Sequence, residues 1–362
     1  MIKINGDYLE GGGQILRTSL SLSAILGKEF EISNIRSKRK KPGLQPQHLT
    51  AVRAIAKICG AGVKGAELHS TELNFHPTAI KGGKYIFDVS EVKESAGSVS
   101  LIFQTVALPL AFSGTDSHLI LRGGTHVNWS PCFEYLDEIF LPTVERMGFE
   151  CELQINRYGY YPIGGGGIEA RIGKIDKLKG LQIGNGENAE NQLDGNRGKL
   201  LKIEGVSVVS NLPEDIAKRQ KEEALKMLVN FNCDKKIEVK NAASPGKGTM
   251  LFLKAVHQNS VAGFFSLGEI GKKAETVGKE AAVRLLEFER SGASVDEHLA
   301  DQILLFAALA EGKTEFTAAK ITNHLKTNAY TIKQFLPDVK IEMDEKNRLV
   351  RVEGTGIGIN SP

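Results

Sequence analysis

Apolar positions in the first hundred residues change their period repeatedly. Ile2-Lys3-Ile4-Asn5 alternates like a short strand. The run from Gly13-Gln14-Ile15-Leu16 through Leu20 to Leu26-Gly27 then has helical spacing and ends on a glycine. Phe30-Glu31-Ile32 alternates again. After Pro42 and a polar stretch, a second helical pattern runs from about His48 to Cys59 and stops at Gly60. Two strand-like segments follow, from Val63 to Phe75 and from Tyr85 to Val89.

The same order returns twice. A helix from Val99 to Phe112-Ser113-Gly114, a strand at Leu119–Leu121, a loop with Pro131, a helix from Phe133 to Met147-Gly148 and strands near Cys151–Ile155 and Ile168–Ile172 form a second copy. The third has a helix from Leu299 to Ala310, a strand at Thr314–Phe316, a helix from Asn328 to Leu336-Pro337, and strands at Val339–Glu342 and Leu349–Val352. Equivalent loops lie about 90 residues apart between the first two copies and about 190 between the second and third, so roughly 100 residues are inserted. The surplus lies between Leu181 and Lys273, where the pattern reads strand (Leu200–Ile203), helix (Glu214–Leu228), strand (Lys236–Val239) and strand (Thr249–Leu253). Gly184–Asn191, rich in Gly and Asn, reads as its flexible approach.

The expected fold is therefore α/β, of the α+β kind. Three β-α-β-α-β-β repeats form a main domain at residues 1–180 and 274–362, with a smaller α/β domain inserted at residues 181–273. A chain of 362 residues also exceeds what one hydrophobic core usually serves.

Composition narrows the function classes. The chain is 41% hydrophobic and 25% charged, and no apolar run approaches the roughly 18–20 residues a membrane helix needs. The N-terminus lacks the basic and apolar regions of a secretory signal, which implies a cytoplasmic protein and no membrane partner. Cys59, Cys132, Cys151 and Cys233 lack the spacing of a zinc site or a disulfide framework, and Cys59 sits on an apolar helical stripe. Net charge is only +3, so a site for a polyanion must be local.

Arg36-Ser37-Lys38-Arg39-Lys40-Lys41 places five cations in six residues and fits either a solvated loop or a phosphate site. Glu10-Gly11-Gly12-Gly13-Gln14 opens the first helix, where backbone N–H groups and the helix dipole favour an anion, although it matches neither a P-loop nor a Rossmann fingerprint. Arg17 lies one turn further on, away from the apolar stripe. With the basic loop and Gln45-Pro46-Gln47-His48, phosphate-binding groups concentrate on one side of the first repeat.

In the third copy, Thr322-Asn323-His324-Leu325-Lys326-Thr327-Asn328 occupies the loop equivalent to the one holding Gln47 and His48. His324 should then open on the same face as the basic loop, with Lys326 and Asn328 supplying a cation and an amide. A lone histidine is more often a structural or surface group than a catalytic one. His298-Leu299-Ala300-Asp301-Gln302 corresponds to Glu10–Gln14, and Asp301 reads as a first-turn acid favoured by the helix dipole. Gln104 is the odd polar residue on an apolar helix, fitting a core hydrogen bond or a ligand contact.

Together these segments resemble the RNA 3'-terminal phosphate cyclase family over nearly the whole chain. The resemblance rests on Glu10–Arg17, Ile35–Leu44 with Gln47–Val52, Gly97–Thr105, Tyr161-Pro162 with Gly164–Gly166, His298–Gln302 and His324–Asn328. It implies a ligase whose histidine, matched by His324, attacks the α-phosphate of ATP, transfers AMP to an RNA 3'-phosphate, and yields a 2',3'-cyclic phosphate with release of AMP. It places Gln104 and His298, Leu299, Ala300, Asp301 and Gln302 around ATP, and Glu10 near the metal, Mg2+ or Mn2+, and the phosphates. Arg17, Arg36, Arg39, Gln47 and His48 would hold the RNA end. Its fold, repeats like the C-terminal domain of translation initiation factor three plus a smaller insert, agrees with the repeat count.

His298 stands where other members can carry an aromatic residue. A cyclase-like ribosome-assembly protein of the same fold lacks the nucleophilic histidine and is the alternative. Enolpyruvyl transferases use similar repeats, but their motifs are not seen here. The oligomeric state, a homo-oligomer included, is left open by the sequence.

Overall fold

Each repeat builds its own sheet, and the sheets share one strand plan. The computed structural model describes residues 1–92, 95–184 and 197–358. The first repeat comprises β1 (Ile2–Asn5), α1 (Gly13–Leu26), β2 (Phe30–Ser33), α2 (Pro46–Cys59), β3 (Gly62–Lys64) and β4 (Leu73–His76), in the order β1-β2-β4-β3. β1 runs parallel to β2 and the remaining pairs are antiparallel. The second repeat, β5 (Lys84–Asp88), α3 (Val99–Ala111), β6 (Ser117–Gly123), α4 (Phe133–Tyr135), α5 (Leu141–Glu145), β7 (Cys151–Arg157) and β8 (Gly166–Ile172), repeats the plan as β5-β6-β8-β7. The Tyr85–Val89 segment thus opens the second repeat, pairing parallel with β6, and does not close the first. Between α4 and α5, Leu136–Phe140 form a π-turn one residue ahead of Pro142, which has no N–H to donate.

The insert comprises β9 (Leu200–Ser210), α6 (Glu214–Met227), β10 (Asp234–Asn241), β11 (Gly248–His257), β12 (Val261–Leu267) and α7 (Ala274–Ser291), with sheet order β10-β9-β11-β12. Its core joins Ile203, Ala224 and Leu253 to Val277, Ala281, Leu285, Phe288 and Ala293. The apolar stripe of α7 therefore packs on the inserted sheet and on α6. The boundary expected at residue 273 falls just before this helix. At the insert's start, Leu181 and Ile183 lie in the main core. The proposed approach at Gly184–Asn191 falls, beyond Gly184, outside the described residues.

The third repeat continues with α8 (Glu297–Gln302), α9 (Leu304–Leu309), β13 (Lys313–Thr317), α10 (Asn323–Phe335), β14 (Lys340–Asp344) and β15 (Leu349–Glu353). Its first strand precedes the insert. Lys179 and Gln182 bridge in parallel to Glu311 and Glu315, as β1 does to β2. The helix expected over Leu299–Ala310 is divided into α8 and α9 at Ile303. Among the described residues no helix is long and apolar enough to cross a membrane.

The repeats close on one another through their helices. The first helix of each repeat packs on the second helix of the repeat before it: α3 on α2, α8 on the π-turn after α4, and α1 on α10. Each contact carries a polar bond. Gln47 Oε1 accepts from Ser98 N at 2.9 Å, Tyr135 Oη donates to Asp296 at 2.7 Å, and Thr18 Oγ1 donates to Asn328 Oδ1 at 2.8 Å. The last of these closes the ring and brings chain ends 310 residues apart to one place. Cys59 lies in the core, and burial pushes its thiol up to about 11.

Candidate active site

Three helix N-termini converge where α10 meets α1. Gly12 caps α1, Gln45 caps α2, and the Thr322 hydroxyl caps α10 by accepting from Leu325 N. Helix N-termini favour negative charge, so their convergence suits an anionic ligand.

His324 lies in the first turn of α10. Its Nδ1 donates to Asp301 Oδ2 at 2.8 Å, and its side chain remains 41% exposed against 11% for Asp301. The carboxylate is therefore the anchored partner and the imidazole the presented one. With Nδ1–H given to Asp301, the neutral ring leaves Nε2 with its lone pair free. Burial opposes the charged ring, but the charge and hydrogen bond of Asp301 outweigh it, raising His324 above the usual 6.5. Arg17 works against this rise and Glu10 with it.

Asp301 is held in turn. Its Oδ1 accepts from the Gln14 amide of α1, and its backbone carbonyl accepts from Asn328 Nδ2 at 3.0 Å. Asn328 is buried and also bonds Thr18, so one network ties α1, α8 and α10 beneath the imidazole. Gln14 Oε1 and Gln302 Oε1 are buried without a hydrogen-bond partner among the described residues, which leaves two acceptors for a ligand's donors.

The glycines form the other wall. A Cβ on Gly13 would lie 2.3 Å from His48 Nε2 and 3.0 Å from Arg17 Nη1, and one on Gly12 would lie 2.9 Å from Arg39 Nη2. Three cationic or N–H-bearing side chains thus crowd a strip of bare backbone. His48 is buried, and its Nδ1 accepts from Gln45 N at 3.3 Å, so its neutral ring carries the proton on Nε2, facing Gly13. Burial, Arg36 and Arg17 together hold it well below the usual range for histidine. Burial pushes Arg17 down to about 10 against the pull of Asp301, with Arg36 adding to the fall. An arginine so desolvated gains much from an anion.

The basic loop divides its labour. Arg36 Nη1 donates to the carbonyls of Lys41 and Gly43 at 2.6 and 2.9 Å, and Lys38 Nζ donates to Asp7 O at 2.6 Å. Arg36 thus spends part of its guanidinium shaping the loop. Arg39 reaches Glu10 Oε2 at 3.4 Å from an exposed position. Tyr8 stacks on Tyr330 of α10, with ring centroids 3.8 Å apart, fixing the Glu10 segment beside His324.

Glu10, Arg17, Arg36, Arg39, His48, Asp301, Gln302 and His324 are therefore gathered around this end of the helices. Gln47 stands at its edge, its side-chain oxygen spent on Ser98 N. Gln104 lies on α3, which meets α1 through Ser21 Oγ donating to Thr105 O. Leu299 and Ala300 point into the core, so only their backbone can reach a nucleotide, while His298 is exposed. Of the cation and amide expected beside His324, Lys326 pairs with Glu345 at 2.7 Å, and Asn328 bonds Thr18 and the Asp301 carbonyl. Sequence reasoning missed Gln14 and Thr18 as supports and the partnership of Asp301 with His324. The polar positions on the otherwise apolar first turns of α1 were the available signal.

A family model described as RNA 3'-terminal phosphate cyclase matches residues 8–343. A protein named RNA 3'-terminal phosphate cyclase from Nostoc punctiforme is 42% identical, covering 98% of this chain and 99% of its own. Proteins of the same name from Pyrobaculum aerophilum and Methylococcus capsulatus are 42% and 43% identical over 99% of this chain, and over 99% and 98% of their own lengths.

Proposed function

The chain belongs to the RNA 3'-terminal phosphate cyclase family, and from that membership we propose that it uses ATP to convert an RNA 3'-terminal phosphate to a 2',3'-cyclic phosphodiester, with His324 as the nucleophile. The observation that carries the assignment is the pairing of His324 Nδ1 with Asp301, which leaves Nε2 exposed and nucleophilic beside Arg17.

Nε2 attacks the α-phosphorus of ATP, the bond to the β-phosphate oxygen breaks, and pyrophosphate leaves. A 3'-phosphate oxygen of the RNA then attacks the phosphorus of the histidine-bound AMP. The P–N bond breaks and Nε2 recovers its lone pair. In the last step the vicinal 2'-hydroxyl attacks the activated 3'-phosphorus, loses its proton and expels AMP.

Within this reading Arg17, Arg39 and the Nε2–H of His48 hold phosphate oxygens over Gly12 and Gly13, stabilising charge as it develops. Gln104, His298 and Gln302 face the nucleotide, and Gln47 orders the edge where the RNA end arrives. Among the described residues no cluster of three or more acidic, His or Cys side chains offers a metal cage. One carboxylate, Glu10, fits a Mg2+ or Mn2+ ion that takes its other ligands from phosphates and water. Such an ion would neutralise charge on the triphosphate.

Incubation with α-labelled ATP and metal tests the assignment. The expected product is an acid-labile, alkali-stable protein adduct that is absent in His324→Ala. Undiminished labelling of that variant would sink the assignment.

A further inference from the structure

Trp129, the chain's single tryptophan, is 97% exposed, and Tyr161 is 78% exposed. Their loops are tied together. The N–H groups of Thr125 and His126 both donate to Gly159 O at 3.0 Å, and His126 bridges to Tyr160. Beneath them the His126 ring stacks on Tyr158 at 4.6 Å and bonds the buried Glu134, whose other oxygen accepts from Tyr158 Oη at 2.8 Å. The aromatics thus stand on a rigid base. Trp129 also has a φ of +66°, a left-handed conformation unusual for so large a side chain.

This base adjoins the candidate site. A Cβ on Gly164, in the turn after Tyr161, would lie 3.0 Å from Ala96 Cα. Two residues on, Ser98 N is held by Gln47, the neighbour of His48. Cations flank the turn. Arg157 Nε donates to Gly165 O at 2.8 Å, and Lys247 is exposed beside Gly246, which abuts Ile163. Neither Arg157 nor Lys247 has a carboxylate partner among the described residues.

We propose that Trp129 and Tyr161 form a stacking platform for bases of the single-stranded RNA upstream of the 3'-phosphate. Exposed planar rings on joined loops, with unpaired cations beside Tyr161 and Glu269 tied to Asn128 beside Trp129, match a flexible single strand that offers π-faces, and they fit an uncharged protein surface less well. The inference rests on the reading of the substrate as RNA.

Because Trp129 is the only tryptophan, its fluorescence reports on the platform in the unaltered protein. A hexanucleotide ending in a 3'-hydroxyl, which cannot be cyclised, is expected to quench it saturably and less at high salt. Trp129→Ala and Tyr161→Ala should each raise KM for a 3'-phosphorylated hexanucleotide about tenfold more than for a 3'-phosphorylated dinucleotide, and Trp129→Phe should restore most of the difference. Quenching by ATP but not by the hexanucleotide would place the ring at the nucleotide and overturn the platform. So would emission that changes with protein concentration alone, the mark of a second copy covering the patch. Equal KM changes for both RNAs would also overturn it, while leaving the cyclase reading intact. Quenching without any cyclisation would sustain the platform and undermine that reading instead.

Discussion

His324 and Asp301 meet at 2.8 Å across the seam where the third repeat closes on the first, and the carboxylate's second oxygen is taken by Gln14, 287 residues away. The imidazole is therefore aimed by contacts from both ends of the chain. Any change that loosens the seam should reach the chemistry through Asp301.

The pH dependence of adenylylation follows from that pair. Only the neutral ring can attack, and His324 titrates above 6.5. The rate of adduct formation should accordingly be low in acid and rise through a midpoint above 6.5. In Asp301→Asn the main raising influence is gone while burial, Arg17 and the smaller pull of Glu10 remain, so the midpoint should fall. Loss of the oriented partner should also slow the plateau rate on the order of 10–100-fold. A pH–rate series on both proteins checks this, and an unmoved midpoint would exclude Asp301 as the controlling charge.

The two arginines of the basic loop should fail differently. Arg39 is exposed, with its guanidinium on Glu10 and over Gly12, so Arg39→Ala is expected to slow turnover of 3'-phosphate RNA more than self-adenylylation. Arg36 bonds two carbonyls of its own loop, so Arg36→Ala should make residues 36–43 more sensitive to limited proteolysis. Equal loss of both steps in Arg39→Ala would place that side chain at ATP.

How far the sequence could be read depended on the range of the forces involved. Local periodicity marks α1, α2 and α10, and repeat spacing alone put His324 on the face of the basic loop. Pairing between distant segments left weaker traces. Tyr85–Val89 looks the same whether it ends one repeat or begins the next, and only its parallel partner β6 decides. Leu181 and Ile183 are separated from their repeat by the insert, so their pairing beside β13 is invisible locally. Asp301 read as a first-turn acid because its partners, His324 and Gln14, come from other repeats.

Asn328 should prove structural before it proves catalytic. It is buried, accepts from Thr18 and donates to Asp301 O, so Asn328→Ala strands two buried groups. A loss of about 1–3 kcal/mol in urea unfolding is expected. Thr18→Val, which removes one donor, should cost less. Equal stability of Asn328→Ala and the parent would mean that the seam does not depend on this bond.

The neighbouring glycines provide the sharpest contrast. A methyl group at Gly12 meets the far end of the flexible Arg39 side chain at 2.9 Å, which can swing into solvent. At Gly13 it meets the buried His48 ring at 2.3 Å, and that ring is fixed by Gln45 N and cannot retreat. Neither glycine needs a left-handed backbone, so space alone decides. Gly12→Ala should keep adenylylation within about threefold of the parent, while Gly13→Ala should displace His48 and Arg17 and reduce turnover of 3'-phosphate RNA at least tenfold, since a 1 Å displacement in such a site can cost about a hundredfold. Steady-state assays of both variants, with circular dichroism to confirm folding, separate the two. Similar activities would mean that the strip of bare backbone is not where phosphate oxygens lie.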